Sequence, residues 1–358
     1  MQHALDLARK GVGLASPNPT VGCVIVKDGA ILGEGFHQYE WRDHAEIVAL
    51  KQAGDRARGA TLYVTLEPCN HTGRTGPCSE AIVKAGVARV VAAMEDPNPK
   101  TRGNGFATLR AAGIEVQCGL LEADAQKLNE AFAYWITTGK PYVTLKSALT
   151  LDGQLALPQT NKNKKRVWIT SEESRAEVQL MRHASDALLT GIGTILADNP
   201  LLTDRSGQPR RRRLLRVVVD TRLRLPLKSR IVQTVDDDLL VFTAASLKSA
   251  KARALQNAGV ELVATKARNG KVDLAAVIKE LGRRDILGVL LEAGPHLNAA
   301  AISANLVQKL VLFYAPKLAG DTQVPFIAKS LPAFPALHLH SFRQFGADLA
   351  LEFLVHHQ

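Results

Sequence analysis

The chain has 358 residues, of which 46% are hydrophobic, and this size and composition favour two domains, each with its own core. No run of about 18 apolar residues occurs, so we expect no membrane span. Four cysteines are too few for a disulfide framework, and this number favours a cytoplasmic location. The net charge of +11 suits a nucleic acid and a phosphorylated small molecule equally well, so charge alone does not choose between them.

Short apolar runs alternate with amphipathic segments over the first 139 residues. The run "TVGCVIVKDGAILGEG" predicts two strands joined by a tight turn at "KDG". Helix and strand patterns then alternate in "HAEIVALKQAG", "ATLYVTLEP", "SEAIVKAG", "VARVVAAM", "GNGFATLRAAG" and "IEVQCGL". An amphipathic helix ends near Gly139 in "TTGKPY", where Gly and Pro favour a domain boundary. The pattern predicts a three-layer α/β domain over residues 1–139.

A second alternation occupies residues 140–358. It begins with the strand "YVTLKSALTLDG" and a Ser-capped helix in "SEESRAEVQLMRHAS". The run "DALLTGIGTILADNP" predicts a buried strand followed by a Gly-containing loop. Further strands are predicted in "RLLRVVVDT", "DDLLVFTA", "VELVAT", "ILGVLLEAGP" and "LVQKLVLFYAP", with a helix in "LAAVIKELGRR". The basic runs 161–166 and 210–213 are typical of solvated loops.

One stretch of the first domain has the residue types of a zinc site. His44, Cys69 and Cys78 are three ligands that zinc prefers, one fewer than a closed structural site uses, so a fourth position is left for water. Glu46 suits a proton shuttle beside that water, although the spacing alone does not exclude it as a fourth ligand. Two residues apart on a helix point to different faces, so we expect His44 at the very start of the helix.

A structural zinc knuckle is the alternative to this catalytic site. It needs a fourth ligand, for which His71 is the candidate, but it gives Glu46 no role. Cys23 and Cys118 lie within apolar strand patterns, and we expect both to be small buried hydrophobes.

The motifs "HAE" and "TLEPC" with a second Cys resemble the zinc-dependent cytidine and nucleobase deaminases. Eight residues separate Cys69 from Cys78, and this longer loop, with "SPNPTVGCVIV", "GFH" and "DPNP", resembles the deaminase half of the bifunctional RibD family of riboflavin biosynthesis. The resemblance implies a cytidine-deaminase-like α/β/α domain that binds one zinc ion per chain. It implies deamination of 2,5-diamino-6-ribosylamino-pyrimidinone 5′-phosphate, with Glu46 as the catalytic residue.

The second half carries its own landmarks of the same family in order: "LKSALTLDG", "WITS", "GIGTILADNPLLT", "RVVVDTRLRLP", "LLEAGPHL" and "LFYAPKLAG". They imply a dihydrofolate-reductase-like α/β domain that uses NADPH to reduce the ribosyl group of the deaminated product to ribityl. The implied cofactor residues are Ala148, Trp168, Thr194, Asp198, Thr221, Gly294, Pro295, His296, Leu297, Asn298, Ala299 and Ala300. The implied substrate residues are Arg166, Arg182, Leu202, Arg205 and Glu292; Arg166 stands where the family tends to have Ser.

The resemblance implies a phosphorylated pyrimidine as the substrate, with no nucleic-acid or membrane partner, and we expect a homo-oligomer. Arg222, just after the strand "LRVVVDT", is the candidate for the extra 2′-phosphate of NADPH. The alternative function is a tRNA or nucleobase deaminase with a fused RNA-binding domain. The net charge favours that alternative, whereas the eight-residue Cys spacing and the scarcity of aromatic residues for base stacking disfavour it.

Overall fold

The computed structural model describes residues 1–72, 76–156, 168–320, 324–328, 331 and 335–356. The expected substrate residue Arg166 and the basic run 161–166 lie outside these described residues. The contacts between residues divide the chain into two units, 1–140 with 209–212 and 141–208 with 213–358. No helix among the described residues is both long enough and apolar enough to cross a membrane.

The first unit contains a five-stranded sheet of order β2-β1-β3-β4-β5. Strand β1 pairs antiparallel with β2 and β3, whereas β3, β4 and β5 are parallel. Its strands are β1 (Gly22–Lys27), β2 (Ala30–Phe36), β3 (Thr61–Val64), β4 (Arg89–Ala92) and β5 (Glu115–Cys118). Its helices are α1 (Gln2–Arg9), α2 (Ala45–Ala53), α3 (Cys78–Ala85), α4 (Asn104–Ala111), α5 (Glu122–Leu128) and α6 (Glu130–Thr138), with short 3-10 turns at Tyr39–Trp41 and Gly54–Ala57.

Helices cover both faces of this sheet because successive strand residues point to opposite sides. Cys23 packs with Ala49 of α2 in the main core, whereas Val24 packs with Ala4 of α1 on the other face. Gly33 lets α2 approach closely, since a Cβ there would lie 2.2 Å from the Ala49 carbonyl oxygen. The predicted three-layer α/β arrangement is confirmed. The close packing of α2 on the sheet also determines where the first residues of that helix lie relative to the strands.

The second unit contains a nine-stranded sheet of order β10-β9-β8-β7-β13-β6-β14-β16-β15. The strands from β10 to β14 are parallel, and β16 and β15 extend the sheet antiparallel. These strands are β6 (Tyr142–Thr150), β7 (Ala187–Gly191), β8 (Leu215–Val219), β9 (Leu239–Thr243), β10 (Glu261–Ala264), β13 (Gly288–Leu291), β14 (Lys309–Ala315), β15 (Ala336–Phe345) and β16 (Asp348–His356), and a separate hairpin pairs β11 (Ala267–Arg268) with β12 (Lys271–Val272). The helices are α7 (Glu172–Ala184), α8 (Ile192–Asp198), α9 (Arg230–Gln233), α10 (Ala250–Asn257), α11 (Leu274–Arg283) and α12 (Pro295–Ser303).

Two local expectations were wrong. The predicted loop after β7 is helix α8, which begins after Gly191 and ends at Asn199, whose φ of 42° lies in the left-handed region that stops a helix. Cys23 is buried as expected, but Cys118 is exposed. Strand β5, which carries Cys118, is the edge of its sheet and, among the described residues, pairs only with β4, so its apolar pattern does not lead to burial.

Candidate active sites

Three elements of the first unit bring the predicted zinc ligands together. His44 caps the start of α2, Cys78 is the first residue of α3, and Cys69 lies in the loop after β3. The His44 Nδ1 atom lies 3.4 Å from Cys69 Sγ and 3.2 Å from Cys78 Sγ, and the three donor atoms lie within 4.8 Å of one another. Tetrahedral zinc with its usual bond lengths separates Cys and His donors by about 3.6 Å, so this set of donors fits a zinc ion.

The loop that carries Cys69 is held by hydrogen bonds to both neighbouring helices. Cys69 accepts at its sulfur from the Cys78 N–H (3.4 Å) and at its carbonyl from the Ser79 N–H (3.1 Å). The Asn70 side-chain oxygen accepts from the Ser79 hydroxyl at 2.8 Å and from the Thr108 hydroxyl at 3.1 Å. These bonds fix the position of Cys69 relative to α3 and α4.

Electrostatics in this cluster favour a thiolate at Cys69. A hydrogen bond from the Cys78 thiol, together with one from His44, holds the pKa of Cys69 at about 4. The hydrogen bond with Cys69 raises the pKa of the His44 ring. His37 packs edge-on against the His44 ring, with 5.2 Å between the ring centroids.

Glu46 lies beside the donor cluster on the first turn of α2 and is buried, with 3% of its surface exposed. Burial raises the pKa of its carboxyl group to about 7, and the nearby His44 ring opposes this rise. Among the described residues, the set of candidate ligands contains neither Glu46 nor His71, and His71 is exposed. The geometry therefore favours Glu46 as a proton carrier over both Glu46 as a ligand and a closed zinc knuckle.

Glu67 is a buried carboxylate at this site that sequence reasoning missed. Its Oε1 atom accepts hydrogen bonds from the backbone N–H groups of Gly105 (2.9 Å) and Phe106 (3.2 Å). Its Oε2 atom accepts from those of Asp96 (3.1 Å) and Gly103 (2.9 Å). The carboxylate therefore ties the loop before α4 to the segment that leads into Cys69. The available signal was a glutamate at the end of an otherwise apolar strand pattern.

The second unit contains an open cavity of ≈ 2270 Å³ at the carboxyl ends of its parallel strands. The Glu292 carboxylate, just after β13, accepts from Arg182 Nε (2.8 Å) and Nη2 (3.0 Å) and lies 3.2 Å from Lys146 Nζ. Burial by itself raises the pKa of Glu292, but the charges of Lys146 and Arg182 outweigh it and hold that pKa at about 2. A fixed carboxylate therefore lines the cavity. Sequence reasoning missed Lys146, which a strand pattern alone does not single out.

Most of the expected reductase residues line this one cavity. They are Ala148, Trp168, Arg182, Thr194, Asp198, Leu202, Arg205, Thr221, Glu292, Gly294, Pro295, His296, Leu297 and Ala300. Asn298 and Ala299 do not line it: both are buried, and the Asn298 side-chain amide donates to the Phe326 carbonyl at 3.2 Å. Arg222 is also absent from the lining, whereas its neighbour Thr221 is present.

Comparisons with known proteins identify both units. Residues 1–94 match the family model of the cytidine and deoxycytidylate deaminase zinc-binding region, and residues 141–351 match that of the RibD C-terminal domain. The second match does not support an RNA-binding second domain.

Relatives and solved structures extend this similarity over nearly the whole chain. The chain is 40% identical to the riboflavin biosynthesis protein RibD of Escherichia coli, over 98% of this chain and 97% of that protein. It is 42% identical to that of Aquifex aeolicus, over 90% of this chain and 87% of that one.

Two solved structures agree with these relatives. The structure of Acinetobacter baumannii RibD superposes with a TM-score of 0.86 at 37% identity, covering 99% of this chain and 98% of that one. A diaminohydroxyphosphoribosylaminopyrimidine deaminase/5-amino-6-(5-phosphoribosylamino)uracil reductase from Thermotoga maritima superposes with a TM-score of 0.84 at 34% identity, covering 99% and 97%. The chain therefore belongs to the bifunctional RibD family of riboflavin biosynthesis proteins, with a deaminase half and a reductase half.

Proposed function

We propose that residues 1–139 hydrolytically deaminate 2,5-diamino-6-ribosylamino-4(3H)-pyrimidinone 5′-phosphate and that residues 140–358 use NADPH to reduce the ribosyl group of the product, 5-amino-6-(5-phosphoribosylamino)uracil, to ribityl. The proposal rests on one observation: this single chain of the family contains two separate sites. One is a His and two-Cys cluster beside a buried glutamate, and the other is a large cavity with a fixed carboxylate.

In the first site, His44, Cys69 and Cys78 hold one zinc ion, which when bound polarises a water molecule and lowers its pKa toward about 7. Glu46 moves the protons. Its carboxyl group is buried beside the donor cluster, where it can accept a proton and return it, which is what a general acid–base needs. It takes the proton of the attacking water and delivers it to the departing ammonia.

In the second site, the cavity binds the sugar phosphate beside the cofactor, and NADPH when bound supplies the hydride. A volume of ≈ 2270 Å³ exceeds the range of about 300–1,000 Å³ usual for one small ligand, which supports a site for two molecules. The Glu292 carboxylate, held by Arg182 and Lys146, accepts hydrogen bonds from sugar hydroxyls. Arg205 suits the substrate phosphate, and the helix start at Pro295 suits the cofactor phosphates.

The proposal includes a homo-oligomer, which the edge of the second sheet supports. Strand β15 is the last strand of that sheet, and within the described residues no further strand pairs with it. Leu337, Leu339 and Phe342 on this strand are 45%, 50% and 68% exposed. Exposed apolar residues along an open edge strand favour pairing with a second copy. We also place the protein in the cytoplasm, in keeping with its cysteine usage.

The test measures both reactions on the purified full chain. Given the pyrimidine phosphate, the protein should release ammonia, and with NADPH also present it should oxidise the cofactor. Removal of zinc with a chelator should stop ammonia release, because the cluster loses its metal, but should leave reduction of deaminated substrate largely intact. Loss of both activities together on chelation would contradict two independent sites, and RNA binding without either turnover would refute the proposal.

A further inference from the structure

A two-residue turn sets the geometry of the β11–β12 hairpin at the rim of the reductase cavity. Asn269 and Gly270 form the turn with φ of 51° and 70°, as the tight turns that match the twist of a hairpin require. Arg268 pairs directly with Lys271, and Ala267 with Val272. The turn therefore fixes Arg268 opposite Lys271. The Asn-Gly dipeptide is the sequence signal for this hairpin, and sequence reasoning missed it.

This pairing places two positive charges side by side. Directly opposed residues of a hairpin share a face, with Cβ atoms about 4.5–5.5 Å apart, and like charges there are destabilising. Both Arg268 and Lys271 are exposed and line the cavity. Neither forms an ion pair with a carboxylate of the described residues, in contrast to Arg284, which binds Glu261 at 2.7 Å. An anion between the two side chains would convert this repulsion into attraction.

The hairpin lies at the end of the cavity away from the fixed carboxylate. The cavity follows the strand order β6-β13-β7-β8, from Lys146 and Glu292 to Thr221 beyond the end of β8. These strands span three spacings, about 14 Å. The Val272 N–H donates to the Thr221 hydroxyl oxygen at 3.2 Å, which docks the hairpin beside Thr221. A dinucleotide whose reacting ring lies near Glu292 thus extends its adenosine toward Arg268 and Lys271.

We infer that Arg268 and Lys271 bind the adenosine 2′-phosphate and so determine the preference for NADPH over NADH. The inference rests on the proposed reductase function. A phosphate dianion matches two adjacent cations, because the arginine fork can bind two of its oxygens and the lysine adds a point charge. This pair replaces Arg222, which does not line the cavity.

The test compares the double variant Arg268→Ala/Lys271→Ala with the full-length wild type. Its matched control, Lys279→Ala/Arg283→Ala, removes two exposed cations of α11 that do not line the cavity. In the reductase reaction we expect the KM for NADPH to rise about tenfold or more in the first variant, because charge-assisted hydrogen bonds are lost. The kcat values and the KM for NADH should stay unchanged, and the control should behave as wild type.

Binding measurements provide a readout that does not depend on turnover. Titration calorimetry with adenosine 2′,5′-bisphosphate and with 5′-AMP should show that the double variant weakens only the first ligand. The exchanged variant Arg268→Lys/Lys271→Arg should retain the preference for NADPH.

Three results separate the possible failures. An unchanged NADPH-to-NADH ratio in the double variant, or equal losses with both cofactors, would overturn the assignment of the pair. If the wild type oxidised neither cofactor, the proposed function would fail. The binding measurement would then test the pair by itself, and equal binding of adenosine 2′,5′-bisphosphate by wild type and double variant would overturn its assignment.

Discussion

The substitution Glu67→Gln tests whether one carboxylate organises the loop before α4. The wild-type side chain accepts four backbone N–H groups, two at each oxygen. An amide presents NH₂ to one of these two pairs, so two hydrogen bonds to a charged acceptor are lost. At about 1.5–3 kcal/mol for each such bond, the local structure loses about 3–6 kcal/mol.

Hydrogen exchange of the backbone amides in segment 96–106, followed by mass spectrometry, measures this loss. A loss of about 3 kcal/mol corresponds to hydrogen exchange that is about a hundredfold faster, at about 1.4 kcal/mol for each tenfold change in rate. Deamination should fall because Gly105 in this segment packs closely against the backbone of Pro68, next to Cys69. Reduction of deaminated substrate should be unchanged, which would show that the second unit is folded.

A matched control lies on the same loop. Glu95 forms an exposed ion pair with Arg102 at 2.7 Å, and such pairs contribute about 0–1 kcal/mol, so Glu95→Gln should leave exchange within about fivefold of wild type. If Glu67→Gln exchanged no faster than this control, the carboxylate would not anchor the loop.

Three further predictions concern the two sites and their separation. Glu46→Gln should keep zinc but abolish ammonia release, and loss of zinc from the purified variant, measured by metal analysis, would mean that Glu46 is a ligand. Because the pKa of Glu292 is lowered from 4.5 to about 2, the stability it contributes is present above about pH 4.5 and falls by about 1.4 kcal/mol per pH unit down to about pH 2. The difference in unfolding free energy between wild type and Glu292→Gln should therefore be constant from pH 5 to 7 and narrow below about pH 4.5; a difference independent of pH would contradict the ion pair. Fragments 1–140 and 141–358 should fold separately. The first should bind zinc and deaminate, and the second should bind NADPH and reduce the deaminated product. A folded second fragment that neither binds NADPH nor reduces product would show that the reductase site needs residues of the first half.

Several features could be predicted from the sequence because they depend on neighbouring residues. The turn at Asp28 and Gly29, both with positive φ, follows from the local preference of these residue types. The spacing of His44 and Glu46 required a histidine at a helix start, and His44 is the N-cap of α2. The family motifs also identified the candidate residues of both sites from the sequence, because each motif is a short contiguous run of residues.

Only the tertiary structure brings distant residues to one place. His44 and Cys78 are 34 positions apart, yet their donor atoms meet because β3 and two helix starts converge, and no local pattern predicts that convergence. Glu292 meets Arg182, 110 positions away, because β13 inserts between β7 and β6. Strand order depends on which long-range pairs bury most apolar surface, so the sequence determined which residues carry the chemistry, whereas the fold decided which of them act together.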